Sequence, residues 1–266
     1  MVISFLSDFG LRDDFVGTCH GVIARIAPDA RIIDITHGIE PQAVLQGALV
    51  LANTLPFVPE GVHLAVVDPG VGTGRRPLAV RDAGGRVFVG PDNGLLVPAA
   101  ERAGINGAWE LQNAAYRLEH VSRTFHGRDV FAPAAAYLAT GIAPEELGPD
   151  VDPATLVRLE LPEAEIGGSR IRATVLYVDR YGNVQLNLSR ADVERAGIVP
   201  GRQVELDLGV DRYYATAARA FADARAGDII LYEDAYENVA IAITGGYAAE
   251  MFSVGPGQEL TIDLVA

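Results

Sequence analysis

The stretch Leu64-Ala65-Val66-Val67-Asp68-Pro69-Gly70-Val71-Gly72-Thr73-Gly74-Arg75-Arg76 decides how the chain is read. Its opening residues are apolar, and two are β-branched valines, which suits a strand covered on both faces. Asp68 stands where the strand stops. Pro69 cannot continue a ladder, and the glycines that follow free the backbone to turn tightly. The loop then delivers Arg75 and Arg76. In an open α/β sheet, ligands bind beyond the carboxyl ends of the strands. An acid at that edge with an arginine seven residues on is therefore a candidate for chemistry. The same residues also read as a turn aspartate capping its own loop, with both arginines in solvent.

Working outward, Met1 to Ser7 reads as a short apolar strand ending in Ser7-Asp8-Phe9-Gly10, so Asp8 also lies at a strand's carboxyl end. Asp13 and Asp14 precede Phe15, Val16, Val22, Ile23 and Ile26, which share one helix face. Acids in a first turn suit the helix dipole. Arg31 to Thr36 is a second strand, ending at His37, and Pro41 to Thr54 a helix with proline near its start. Val62 to Val67 is the third strand. Pro77 to Arg81 and Arg86 to Val89 flank a hairpin-like turn, and Val89 leads into the acidic loop Gly90-Pro91-Asp92-Asn93-Gly94. Leu95 to Ala103 reads as helix. Thr124-Phe125-His126-Gly127-Arg128-Asp129 opens another that runs through Leu138. Strands alternating with helices predict a mainly parallel sheet covered on both faces. No GxGxxG follows the first strand, so a dinucleotide fingerprint is absent.

Beyond about Gly148 the composition changes. Residues 150–168 hold two prolines and several acids, and short strands follow at Arg170 to Asp179, Val184 to Leu188, Gln203 to Leu208, Asp228 to Tyr232, Val239 to Thr244 and Gln258 to Leu264. The fold class expected is α/β: an N-terminal, mainly parallel α/β sandwich domain (1–155), a linker (156–168), and a small C-terminal all-β barrel domain (169–266).

The 266 residues carry a formal net charge of -14, which argues against nucleic acid as a partner. There is no lysine, so every fixed side-chain cation is an arginine, a group that cannot act as a base. A single cysteine, Cys19, excludes an internal disulfide and a cysteine-rich zinc site. The opening residues do not read as a signal peptide, and no apolar run is long enough for a membrane span. The expectation is a soluble, cytoplasmic protein.

Five stretches, taken together and in order, resemble one family. They are Ser7-Asp8-Phe9-Gly10; Val67-Asp68-Pro69-Gly70-Val71-Gly72 with Arg75; Gly90-Pro91-Asp92-Asn93-Gly94; Thr124-Phe125-His126-Gly127-Arg128-Asp129; and Asp179-Arg180-Tyr181-Gly182-Asn183. They look like the S-adenosyl-L-methionine (SAM) hydroxide adenosyltransferases, adenosine-forming SAM hydrolases related to the SAM-dependent fluorinase and chlorinase. The resemblance implies attack of water or hydroxide on the ribose C5′ of SAM, releasing adenosine and L-methionine. SAM is then the substrate and no cofactor or metal is implied. It further implies a catalytic set of Asp68, Arg75 and His126. Asp8 would accept from the ribose hydroxyls, and Phe125 would pack on the ribose or base. Asp179 would face the methionine ammonium, and Asn183 would read the adenine edge. A homotrimer is implied too, with each active site between neighbouring subunits. The halogenases carry a tyrosine in a Tyr-Pro-Ala-Thr-Gly loop where this chain has Asp68-Pro69-Gly70-Val71-Gly72, which favours hydroxide over halide. The segment Asp234 to Ala249 departs from the family's usual pattern.

Two other readings stand beside this one. Asp8, Asp68, Asp92, Asn93 and His126 all lie in loops, and as a carboxylate-rich set they would suit a metal-dependent phosphoesterase. A non-catalytic adenosine or SAM binder would need the same recognition residues without the turnover. Asp179 and Asn183 also read as an ordinary β-turn.

Overall fold

Three strands with no polar face organise the first half of the chain. They are β1 (Val2–Ser7), β3 (Val62–Val66) and β5 (Val87–Pro91), and every residue of the last two is buried. Such strands need cover on both sides, and the intervening helices supply it. The computed structural model describes residues 1–209 and 211–265 and divides the chain into two units, Met1–Leu159 and Glu160–Ala266.

In the first unit the chain runs β1, α1 (Phe15–Ile26), β2 (Arg31–Thr36), α2 (Val44–Thr54), β3, β4 (Pro77–Asp82), β5, α3 (Val97–Glu101), β6 (Ile105–Glu110) and α4 (Ala132–Ala139). The sheet order is β2-β1-β3-β5-β4-β6. The pairs β2–β1, β1–β3 and β3–β5 are parallel, whereas β4 runs antiparallel to both β5 and β6. Alternation along the strands divides the core. Ile3, Phe5, Leu64 and Val66 pack with Val16, Ile23, Phe131 and Leu138 of the α1/α4 side. Leu6, Ala65 and Val67 pack with Ala48, Leu51, Leu95 and Ala99 of the α2/α3 side. This is the mainly parallel α/β sandwich that the alternation of elements predicts. Phe5, Phe88 and Phe131 are fully buried, each stabilising by about 1.5–3 kcal/mol.

Local differences have local causes. The second helix begins at Val44, not Pro41, because Gln42 takes a left-handed φ of 67° that no helix accommodates. Asp14 stands at the N-cap position just before α1 and makes no side-chain cap bond, so the first turn holds no acid. The 95–103 helix shortens to Val97–Glu101. The His126 helix opens as a π-turn over Gly127–Phe131 before α4 continues it, and the Ala132 amide donates back to the Gly127 carbonyl. Such turns often sit at functional sites.

The second unit contains β7 (Glu165–Gly167), β8 (Arg170–Val178), β9 (Val184–Ser189), α5 (Arg190–Arg195), β10 (Gln203–Asp207), β11 (Arg212–Ala217), β12 (Ile229–Glu233), β13 (Asn238–Ile243), α6 (Ala248–Phe252) and β14 (Glu259–Leu264). The strand order β14-β10-β11-β12-β13-β9-β8 closes through a β14–β8 pairing into a seven-stranded barrel, with β7 on its flank. Closure removes the exposed edges that a short open sheet would leave. Every second residue points inward: Ile171, Ala173 and Val175 of β8, Val184, Leu186 and Leu188 of β9, Leu260 and Ile262 of β14. Among the described residues no helix is long and apolar enough to cross a membrane.

Candidate active site

Asp68 ends the run begun by β3, at the carboxyl edge of the parallel strands. Two successive turns follow it, with the Val71 amide donating to the Asp68 carbonyl and the Thr73 amide to that of Gly70. These turns fold Arg75 back onto the acid that precedes it. Arg75 Nε donates to Asp68 Oδ1 at 2.9 Å, and Nη2 donates to Asp68 Oδ2. A planar guanidinium matches a carboxylate in this two-pronged way, which a lysine cannot do. The side chains are 7% and 9% exposed, so the pair is held almost out of water. Phe131 lies under the guanidinium, 5.0 Å from it. Gly72 makes the loop possible: its φ is +77°, and a Cβ there would stand 2.5 Å from the Arg123 carbonyl oxygen.

The same Arg75 Nη2 lies 3.0 Å from His126 Nδ1. Arginine can only donate, so Nδ1 is the acceptor and a neutral His126 carries its proton on Nε2. Burial and then the Arg75 charge hold the imidazole below the ordinary histidine range, with Asp68 pulling partly the other way. Arg75 is thus the hub that joins acid to imidazole. Asp129, three residues after His126, is wholly buried. Asp129 accepts from the Ser122 amide at 2.7 Å and from the Arg128 guanidinium, and so ties down the approach to the π-turn.

Asp8, Asp68, Phe125 and His126 line one cleft of the first unit, together with Phe9, Gln42 and Thr124. Asp8 accepts from the Gln42 amide at 2.9 Å. Its carboxyl is pushed up, mainly by burial, with the nearby Asp68 charge adding to the rise. Phe125 packs edge-on against Phe9 and Phe15, at 5.6 and 5.2 Å between centroids. Gln42 has no sequence signal of its own. Only a left-handed backbone brings its amide to Asp8.

Asp179 and Asn183 belong to the second unit, in the turn between β8 and β9. Asp179 Oδ1 accepts from the Tyr181 and Asn183 amides, and Oδ2 accepts from Asn183 Nδ2 at 2.7 Å. The turn holds itself, and the Asn183 side-chain carbonyl remains free of these bonds. Tyr181 and Tyr247 are exposed beside it, and Tyr247 packs against Gly182.

Asp92 and Asn93 serve the fold. Asp92 accepts from Arg76 Nε at 2.8 Å and from the Val157 amide at 2.9 Å. Asn93 donates to the Val67 carbonyl at 2.8 Å and accepts from the Leu95 amide. A phosphoesterase centre built on these two would have to break the bonds that fix the end of the Asp68 strand.

A parallel sheet with a part-buried Asp–Arg–His set at its carboxyl edge, followed by a closed barrel, defines a two-domain α/β enzyme architecture. The chain belongs to the SAM hydroxide adenosyltransferase family: the N-terminal domain model matches residues 3–148 and the C-terminal domain model residues 173–261. A (R)-S-adenosyl-L-methionine hydrolase from Salinispora arenicola is 47% identical over 98% of this chain and 97% of its own length. A fluorinase from Actinoplanes sp. is 29% identical over 98% of this chain and 97% of its own. A solved structure of an uncharacterized conserved protein from Thermotoga maritima superposes with a TM-score of 0.91 at 35% identity, covering 98% of this chain and 99% of that one.

Proposed function

We propose that this protein hydrolyses SAM by displacement at the ribose C5′, giving adenosine and L-methionine. The observation that carries the reading is the single guanidinium of Arg75 joining a buried carboxylate to a neutral imidazole in the Asp8 cleft. The name of the Salinispora arenicola relative specifies the (R) form of the sulfonium, and we extend that preference to this chain.

The chemistry needs little beyond positioning. Sulfur leaves as a neutral thioether, so no acid has to protonate it. A water must be held in line behind C5′ with competing solvent kept away. As its oxygen bonds to C5′, the C5′–S electron pair passes to sulfur and the water loses a proton. His126 cannot take that proton at Nδ1 while Arg75 donates there, and its Nε2 already holds one. Asp68 is the remaining base: each of its oxygens keeps a second lone pair beyond the bond to Arg75. On this reading Asp68 accepts the proton and Arg75 fixes the carboxylate's direction. His126 Nε2–H orients the water oxygen, and Asp8 receives the ribose hydroxyls. No step calls for a metal or redox cofactor.

We assign Phe125 to the ribose or base, Asp179 to the methionine ammonium and Asn183 to the adenine edge. The exposed Tyr181 and Tyr247 beside that turn offer faces for stacking. We further propose a homotrimer in which a neighbouring copy supplies Asp179 and Asn183, and a cytoplasmic location, where SAM is found. Light scattering on the purified protein tests the trimer.

The deciding experiment is incubation with (R)- and (S)-SAM separately, in chloride buffer made with ¹⁸O water, with products read by mass spectrometry. Adenosine carrying one ¹⁸O at the 5′ position, formed faster from (R)-SAM, is the expected result. Both epimers recovered intact would leave a SAM or adenosine binder; 5′-chloro-5′-deoxyadenosine would make the protein a halogenase.

A further inference from the structure

We propose that His20, Asp34 and His37 form a site for a divalent transition metal of the zinc class, separate from the Asp68 cleft. Helix α1 carries His20, β2 carries Asp34, and His37 follows three residues later. Asp34 Oδ1 lies 2.9 Å from His20 Nε2 and 3.0 Å from His37 Nε2. All three donor atoms lie within 4.8 Å of one another, the one such group among the described residues. Two imidazoles and one carboxylate on a common face are a donor set for zinc, nickel, cobalt or iron, not for magnesium or calcium, which prefer oxygen throughout.

The state of His37 is the second observation. The residue is 5% exposed, and its Nε2 is buried without a hydrogen-bond partner. An Asp34 oxygen stands at 3.0 Å, yet off the line along which an N–H could donate. A buried nitrogen left so is costly unless something else satisfies it. A cation shared with Asp34 and His20 would do so through the nitrogen lone pair. The other ring nitrogen is already engaged, since His37 Nδ1 lies 2.7 Å from Ser7 Oγ. A partner on the second nitrogen is how metal-binding imidazoles are usually oriented.

The dimensions fit. Zinc bonds to imidazole nitrogen and carboxylate oxygen of about 2.0–2.2 Å place tetrahedral ligands about 3.3–3.5 Å apart. The observed 2.9 and 3.0 Å separations need to open by only a few tenths of an ångström, and the two imidazole nitrogens, which lie within 4.8 Å of each other, have to settle to the same spacing through side-chain rotation. The side chains of His20 and Asp34 are 33% and 42% exposed, which gives the ion an entry path and leaves room for water as a fourth ligand. The site backs onto the Asp8 loop. Ser7 precedes Asp8, and the His37 carbonyl accepts from the Gly10 amide at 2.7 Å.

The test uses untagged, chelator-stripped protein, dialysed against Zn²⁺ alone and analysed by metal content, with Co²⁺ absorption as an independent probe of coordination. The proposal expects one Zn²⁺ per chain and low-coordinate visible bands for Co²⁺. It expects His20→Ala and Asp34→Asn each to weaken Zn²⁺ binding about tenfold or more. Both positions are partly exposed, so these variants fold, and unchanged Trp109 fluorescence would verify it. Uptake equal to wild type in both variants would overturn the proposal, as would no stoichiometric uptake by the wild type at about 0.1 mM Zn²⁺, a concentration that nearly fills a site of micromolar affinity.

Discussion

Replacing Asp68 by Asn separates the electrostatic role of the Asp68–Arg75 pair from its shape. An asparagine fills the same volume but offers one acceptor oxygen and one amide donor. Arg75 presents Nε and Nη2 to the two Asp68 oxygens, so one of its donors must now face another donor. One charge-assisted hydrogen bond is lost, roughly 1.5–3 kcal/mol, and a guanidinium only 9% exposed loses its counter-ion. Removing a whole partner from a buried pair costs about 3–5 kcal/mol. Asparagine keeps one bond, so we expect a loss of about 2–3 kcal/mol. Trp109 is the only tryptophan and is buried in β6, so its fluorescence in urea follows the first unit specifically. On the proposed mechanism, SAM turnover falls by about 10²–10³-fold, as when one preorganised electrostatic group is removed. His126 supplies the internal control. Asp68 is the group in the pair that raises its proton affinity, against burial and Arg75, which lower it. In Asp68→Asn the imidazole should therefore titrate lower still, a shift that NMR resolves. A His126 titration that rises, or a stability unchanged within about 0.5 kcal/mol, would refute the idea that these three groups form one buried electrostatic unit.

Three further outcomes follow from the same physics. Gly72→Ala forces a side chain into a φ of +77° and against the Arg123 carbonyl, so the loop that carries Arg75 must shift; turnover should drop at least tenfold while urea stability falls by only about 1–2 kcal/mol. Asp8→Asn should raise the KM for SAM about tenfold or more with a smaller effect on kcat. Because burial pushes the Asp8 carboxyl up, the wild-type KM should begin to climb at a higher pH than an ordinary aspartate would dictate, and the variant's should stay flat. His63 is pushed down to about 4 by burial and then by Arg86. Its folded form refuses a proton that the unfolded chain accepts near pH 6.5, so its contribution is full above pH 6.5 and is lost as pH falls toward 4. Over that window wild type should lose about 3 kcal/mol more than His63→Phe, read as the difference between two urea titrations; parallel curves would show that His63 is not the group responsible.

Much of the first unit was legible because its strands are short apolar runs that end in glycine, proline or acid. β1, β2, β3 and the β4–β5 hairpin all stand within a residue or two of where the residues put them. What was illegible depended on the partner rather than the strand. β6 (Ile-Asn-Gly-Ala-Trp-Glu) has weak strand character and exists because β4 offers it an antiparallel edge. β11 carries Arg212, Tyr213 and Tyr214 and hides behind its polar residues, yet it is needed to close the barrel between β10 and β12. In the site, Asp68 and Arg75 were visible as an acid at a strand end with an arginine seven residues on. Their buried, two-pronged bond was not, because it depends on the two turns between them. Gln42 and the His20–Asp34–His37 group were invisible for the same reason. Each is brought into place by a backbone turn or by packing between elements, and spacing along the chain encodes neither.

The buried pair also bears on which nucleophile the site would admit. On the proposed reading the nucleophile sits beside Asp68, whose carboxylate is 7% exposed and already matched by Arg75. A halide entering there would meet a negative charge with the nearest cation spoken for. At about 4 Å and an effective dielectric near 20, a carboxylate alone would repel it by roughly 4 kcal/mol, and the Arg75 charge behind the carboxylate offsets part of that. A neutral water meets no such barrier and finds both an acceptor in Asp68 and a donor in His126 Nε2–H. On that reading a carboxylate here selects the nucleophile by charge before any question of size arises, and the Asp68–Arg75 bond keeps it aimed. The same bond explains why the loop from Asp68 to Arg75 is built of tight turns and glycines. The guanidinium has to return to within 2.9 Å of the acid that begins the loop, and only a backbone free to turn left-handed at Gly72 can bring it there.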